Sequence, residues 1–184
     1  MAFRLAFGFL AFLLLAFPAK AVDFEEKTRV GEAELVLNGA GLRKRFFFEV
    51  YAIGLYLPKK ARSAAEAIAA PGPKRVRIHM LRDVGADQFS QALVDGLRAN
   101  VDEAQFKALE PRVQQLTGIM AGMKEAKSGM TIALDWTGAA TRVEAAGKPA
   151  GVPIPGEDFY RALLAIWLGE HPVQDDLKKS LLGG

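Results

Sequence analysis

No cysteine occurs in the 184 residues of this chain. That excludes disulfides, thiol nucleophiles, thiolate metal sites and the lipid-bearing cysteine of a bacterial lipoprotein. Histidine is nearly as scarce. His79 and His171 are the only two, and neither has a carboxylate at a strand or helix spacing that would complete a metal triad, so no metal and no cofactor are expected. No serine stands in a G-x-S-x-G elbow, and two histidines leave little room for a Ser-His-Asp arrangement. His79, between Ile78 and Met80 in a strand-like run, reads as a structural histidine. A phosphate-binding glycine loop is missing too. Gly39-Ala40-Gly41 lacks the third glycine and runs on into Phe-rich strand rather than into a helix N-terminus.

An excess of charge of one sign is also absent. The chain carries 24 Lys and Arg against 21 Asp and Glu, and Arg4 and Lys20 lie in the N-terminal segment, which leaves 22 basic residues against 21 acidic ones in the remainder. The charges are dispersed, without the basic stripe that nucleic-acid binding requires. Lys44-Arg45 and Lys59-Lys60-Arg62 read as solvated turns, and near-neutrality argues against an anionic-membrane role.

Only one long apolar run is present. Leu5 to Phe17 is unbroken by any polar side chain, follows Arg4, and ends at Pro18 before the small-residue triplet Ala19-Lys20-Ala21. This is the pattern of a secretory signal peptide cleaved after Ala21. The run is shorter than the roughly 20 residues needed to span a bilayer, so no stable membrane anchor is expected. The expected product is a periplasmic or secreted protein starting at Val22. Residues 22–184 suit one domain with enough apolar sequence for a core without disulfides.

Thr28 to Leu57 is rich in Val, Leu, Phe and Tyr, and Asn38-Gly39 and Gly41 punctuate it, which predicts two or three strands with a reversal near Asn38. Ser63 opens a short helix that ends at Pro71-Gly72-Pro73, and Lys74 to Val84 returns to strand composition. From Ala86 the period becomes helical, with Phe89, Ala92, Leu93, Gly96 and Leu97 on one face. Asp102 and Gln105 form a capping box for a further helix, which Pro111 is expected to kink or restart. Met130 to Trp136 and Thr141 to Ala145 alternate as a hairpin that ends at Gly147-Lys148-Pro149. Glu157 to Leu168 makes an amphipathic helix closed by Gly169, and Asp175 caps a last short one. Strands, a block of helices and then strands again predict an α+β fold, with helices layered on a mainly antiparallel sheet.

Several of these residues also resemble a known family. Gly39-Ala40-Gly41-Leu42-Arg43 followed by Val50-Tyr51-Ala52-Ile53-Gly54-Leu55-Tyr56-Leu57 is similar to the first strands of the chalcone isomerase family. Arg77-Ile78-His79-Met80, Asp87-Gln88-Phe89-Ser90 and Ile166-Trp167-Leu168-Gly169 with Pro172 and Val173 resemble later segments of its bacterial chalcone-isomerase-like branch, in the same order. The resemblance implies an open-faced β-sandwich, in which a large antiparallel sheet and one layer of helices enclose a hydrophobic cleft.

The fold does not settle function, because the same scaffold hosts isomerases and fatty-acid-binding proteins. In the plant isomerases an arginine steadies an anionic oxygen and hydroxyl groups polarise a ketone. The resemblance places that arginine on Arg43, a threonine on Tyr51, a tyrosine on Phe89 and an asparagine on Gly96. Phe89 and Gly96 carry no donor, and one lost oxyanion donor typically costs about 10²-fold or more. The resemblance therefore implies a non-catalytic protein that binds a hydrophobic or amphipathic small molecule such as a fatty acid, with Arg43, Tyr51, Phe89 and Met80 as ligand-contacting residues. Two other readings stand beside it: an isomerase or intramolecular lyase using Arg43 and Tyr51, and an envelope interaction protein with a vestigial cleft. A reversal near Asn38 would leave Arg43 and Tyr51 on one strand, roughly 26 Å apart and unable to share a headgroup. Arg43 is open to either ligand contact or surface pairing. Phe47, Phe89, Met80 and Trp167 are apolar at element spacing and fit core positions better than a cleft.

Overall fold

The computed structural model describes residues 22–184; the expected signal peptide, residues 1–21, lies outside the described residues. The first apolar stretch forms three strands, β1 (Lys27–Val30), β2 (Ala33–Arg45) and β3 (Phe48–Leu57). Asn38 is not a turn. It sits at a register irregularity within β2, almost fully buried, where its Nδ2 donates to the Leu181 carbonyl at 2.7 Å and its Oδ1 accepts from the Ala61 N–H at 2.6 Å. The irregularity re-aims the strand, so that Leu37 packs on one sheet face while Gly39 and Gly41 lie under the C-terminal helix on the other. A Cβ on Gly39 would fall 2.1 Å from the Ser180 carbonyl oxygen, so this glycine serves close helix approach rather than chain reversal. The reversal falls eight residues later than expected, at Phe46-Phe47, between the paired residues Arg45 and Phe48.

The middle of the chain follows its local signals. Helix α1 (Ala64–Ala69) has the reciprocal capping box of Ser63 and Glu66, and strand β4 (Lys74–Met80) follows it. The two-residue strand β5 (Val84–Gly85) leads into α2 (Ala86–Arg98), which buries Phe89, Leu93, Gly96 and Leu97 as its period requires. Helix α3 (Glu103–Gly122) has the Asp102 and Gln105 capping box and runs through Pro111 without a break. Pro111 and Lys107 are both exposed, so water can satisfy the carbonyl that the proline leaves unbonded.

Strand β6 (Glu125–Ala126) pairs with β5, and β7 (Thr131–Trp136) and β8 (Ala140–Ala145) form the expected hairpin. A further strand, β9 (Lys148–Pro155), extends the sheet where the sequence pattern ends it. Pro149, Gly151, Pro153 and Pro155 hide it from strand propensity. At a sheet edge, prolines lose no ladder hydrogen bond if they face outward. Helix α4 (Glu157–Leu168) and helix α5 (Asp175–Leu181) close the chain. The cap of α5 is Gln174 rather than Asp175.

The main sheet has the order β1-β2-β3-β4-β7-β8-β9, antiparallel throughout, and the fold is α+β as expected. Alternation divides its two faces. Tyr51, Ile53, Leu55 and Leu57 of β3, Val76, Ile78 and Met80 of β4, and Ile132 and Leu134 of β7 pack with Phe89, Leu93, Phe159, Leu163 and Trp167 of the helices. The opposite face carries Arg75, Arg77 and Asp135, with Arg75 bidentate on the Asp135 carboxylate at 2.6 Å. Lys74 is the exception on the helix side: its buried Nζ makes no hydrogen bond and lies 3.9 Å from Glu157 Oε1.

Candidate ligand cavity

The late reversal at Phe46-Phe47 builds the site. It folds β3 back along β2, and a register shift between Arg43 and Lys44 passes over Val50, so Arg43 and Tyr51 become direct cross-strand partners rather than distant residues of one strand. Directly opposed residues share a sheet face and lie about 5 Å apart at Cα. Both line an open cleft of about 810 Å³ between β2, β3, α2 and α4, with Arg82, Asp83 and Val84 at its edge. Val50, Phe89, Leu93, Ile166 and Trp167 make its apolar wall, and Gln88, Gln91 and Asp95 add polar groups from α2.

Tyr51 is buried and accepts a hydrogen bond from the Trp167 indole N–H at 3.0 Å. That bond uses a lone pair and leaves the phenolic proton free to be donated. Burial raises the Tyr51 pKa above the ordinary tyrosine value, with the Trp167 donor and the Arg43 charge opposing the shift, so the group is a neutral O–H donor at physiological pH.

Arg43 is half-buried. Its Nη1 donates to the Lys44 carbonyl and lies 3.5 Å from Gln174 Oε1. Gln174 itself is clipped to β2, accepting from the Lys44 N–H at 2.8 Å and donating to the Leu42 carbonyl at 3.3 Å. No carboxylate pairs with Arg43 among the described residues, so the remaining guanidinium donors are available to an anion.

Phe89 and Gly96 also face this cavity. Gly96 is occupied in a different sense, because a Cβ there would meet Ile166 Cγ2 at 2.8 Å. The glycine lets α2 approach α4, and a longer side chain would have to displace Ile166. Met80 pairs with Tyr51 from β4 but is fully buried in the core and is not part of the cavity wall. Trp167 does both jobs, packing in the core and presenting an edge to the cavity. Phe47 does neither and points into solvent. Arg45, Phe48 and Arg82 also line the cavity, although no period or motif in the sequence marks them as site residues. His79 lies elsewhere, on the opposite sheet face, with Nδ1 3.4 Å from Thr131 Oγ1.

An antiparallel sheet with one helical layer, holding an arginine and a phenol at the wall of an apolar cavity, defines a class of cleft-bearing α+β proteins. The sequence matches the chalcone isomerase-like family over residues 16–183, and the chain belongs to that family. No curated protein sequence matches it. Among solved structures it is similar to a fatty-acid-binding protein of Arabidopsis thaliana, with a TM-score of 0.64 and 19% identity over 86% of this chain and 90% of that one. At that identity the likeness concerns the fold.

Proposed function

We propose that this protein is exported and binds, without turning over, an amphipathic molecule with an anionic headgroup and an apolar chain, such as a fatty acid. The observation that carries the reading is the pairing of Arg43 with Tyr51 over an apolar-walled cavity. A guanidinium free of carboxylate partners and a neutral phenol on one face suit a carboxylate. The volume is within the roughly 300–1,000 Å³ usual for small-molecule sites. The fatty-acid-binding protein of the same fold adds support. Phe89 and Gly96, where the isomerases carry donors, offer the cavity no hydrogen bond, which favours binding over isomerisation. Export is supported by the signal-peptide pattern of residues 1–21.

The test is mass spectrometry of organic extracts from the purified protein, joined to titration with a fluorescent fatty acid. Co-purified fatty acid and saturable binding that weakens in Arg43→Ala are expected. No extracted lipid and no probe binding would overturn the reading, and chalcone turnover lost in Arg43→Ala would replace it with an isomerase. N-terminal sequencing of protein from the periplasmic fraction checks export, with Val22 as the expected first residue.

A further inference from the structure

The hairpin tip that closes the cavity wall breaks two local rules at once. Phe46, Phe47 and Phe48 are 82%, 89% and 52% exposed, three consecutive aromatic side chains left in water on a protein with an ample core. The loop between Arg45 and Phe48 has only two residues, and its first, Phe46, holds a φ of +56°, a place normally taken by glycine or asparagine. Bulky aromatics at such a position indicate that the tip is shaped by something other than folding stability.

The flanking charge indicates what it meets. Lys44 and Arg45 precede the aromatics, and Arg82, in the loop after β4, stacks on the Phe48 ring with its guanidinium 4.2 Å from the centroid. The neighbouring carboxylates are Glu49, the cross-strand partner of Lys44, and Asp83, which accepts from the Ser128 N–H at 2.7 Å, so the three cations Lys44, Arg45 and Arg82 outnumber two carboxylates. The near-zero balance of the remainder of the chain averages over its surface and hides this local concentration of cations around an apolar point.

We infer that the β2–β3 hairpin tip docks on an anionic lipid surface. Aromatic rings enter the headgroup boundary while Lys and Arg meet lipid phosphates, the combination that peripheral membrane proteins use. A second copy of the chain is a poorer occupant, because a two-fold contact centred on the tip would bring Lys44, Arg45 and Arg82 close to their own copies. No helix among the described residues is long and apolar enough to cross a membrane, so docking by the tip is peripheral. The tip also borders the cavity, whose lining includes Arg45, Phe46 and Phe48, so a docked molecule would present that cavity to the bilayer. The docking surface stands whatever the cavity holds.

The experiment is sedimentation of the purified protein with vesicles of phosphatidylcholine and phosphatidylglycerol mixed at about 3:1, against phosphatidylcholine alone. Phe47 and Lys44 lie off the cavity wall, so Phe47→Ser and Lys44→Ser test the surface alone. Partition is expected to be about tenfold higher on the mixed vesicles, to fall about tenfold in Phe47→Ser, and to fall severalfold in Lys44→Ser at low salt only. Phe47→Trp should bind and show a blue-shifted emission component with vesicles. Each of three results would overturn the inference: no partition of the parent, equal partition of parent and Phe47→Ser, or a dimer dissociated by Phe47→Ser without vesicle binding. Fluorescent fatty-acid titration without vesicles reads the cavity separately, so failure of one reading is distinguishable from failure of the other.

Discussion

Arg43 and Tyr51 face each other across β2 and β3, and the Tyr51 hydroxyl is held from behind by the Trp167 indole. The pair gives the cavity a positive charge and a neutral donor at one place. Arg43→Ala should weaken fatty-acid binding at least tenfold, as expected when a hydrogen bond to a charged group, worth about 1.5–3 kcal/mol, is lost. Arg43→Lys should recover part of the affinity, keeping the charge but not the planar fork. Titration with a fluorescent fatty acid reads both, and equal affinities for parent and Arg43→Ala would remove the arginine from the site.

Tyr51→Phe strands a buried indole N–H. Loss of that acceptor should lower stability by about 1–3 kcal/mol in urea unfolding, in addition to weakening the ligand.

Alkaline pH should destabilise the native state through the tyrosines. Burial raises the pKa of Tyr51, Tyr56 and Tyr160 above the ordinary 10.0. Above that value the unfolded chain releases phenolic protons that the folded one retains. The contribution is therefore complete below pH 10 and is lost as pH rises through the higher folded values. Urea midpoints measured from about pH 9 to about pH 12 should fall steadily, and a flat profile would contradict the burial of these groups.

Gly96→Asn, which would supply the side chain the isomerases carry there, should lower stability by about 1–3 kcal/mol, because it presses on Ile166. Combined with Ile166→Ala it should be less damaging than the sum of the two single changes, a coupling that a double-mutant cycle measures.

Lys74→Met should stabilise the protein near neutral pH, by at most about 4 kcal/mol, since the buried ammonium has no hydrogen-bond partner and only the distant, partly exposed Glu157 carboxylate at 3.9 Å offsets its burial. Burial lowers the Lys74 pKa below 10.5, so the folded state releases its proton first, and the penalty eases as pH rises toward that value. The advantage of the variant should therefore shrink at alkaline pH. Thermal midpoints of parent and variant across pH check this, and a constant difference would contradict it.

Features whose causes lie within a few residues were legible in the chain. The Ser63 and Asp102 capping boxes, the period of α2 and α4, and the β7–β8 hairpin each depend on neighbours along the sequence. Features whose cause lies far along the chain are not legible from local pattern. Asn38-Gly39 looks like a turn, but its partners are Leu181 and Ser180 at the other end of the chain. β9 looks like loop because its prolines are admissible only at a sheet edge, and edge position belongs to the whole sheet.

The candidate site divides the same way. The sequence alone determined the α+β class, the family likeness, and the presence of Arg43 and the absence of donors at positions 89 and 96, because these depend on residue identity and local pattern. Tertiary structure decided that Arg43 and Tyr51 meet, that Trp167 holds the phenol and that Met80 stays in the core. The meeting of Arg43 and Tyr51 follows from where the chain reverses and from the register shift between Arg43 and Lys44, without which Arg43 would oppose Val50. In a two-residue hairpin, one displaced reversal changes every cross-strand partner, and the aromatic tip at Phe46-Phe47 carries none of the usual turn residues that would have announced it.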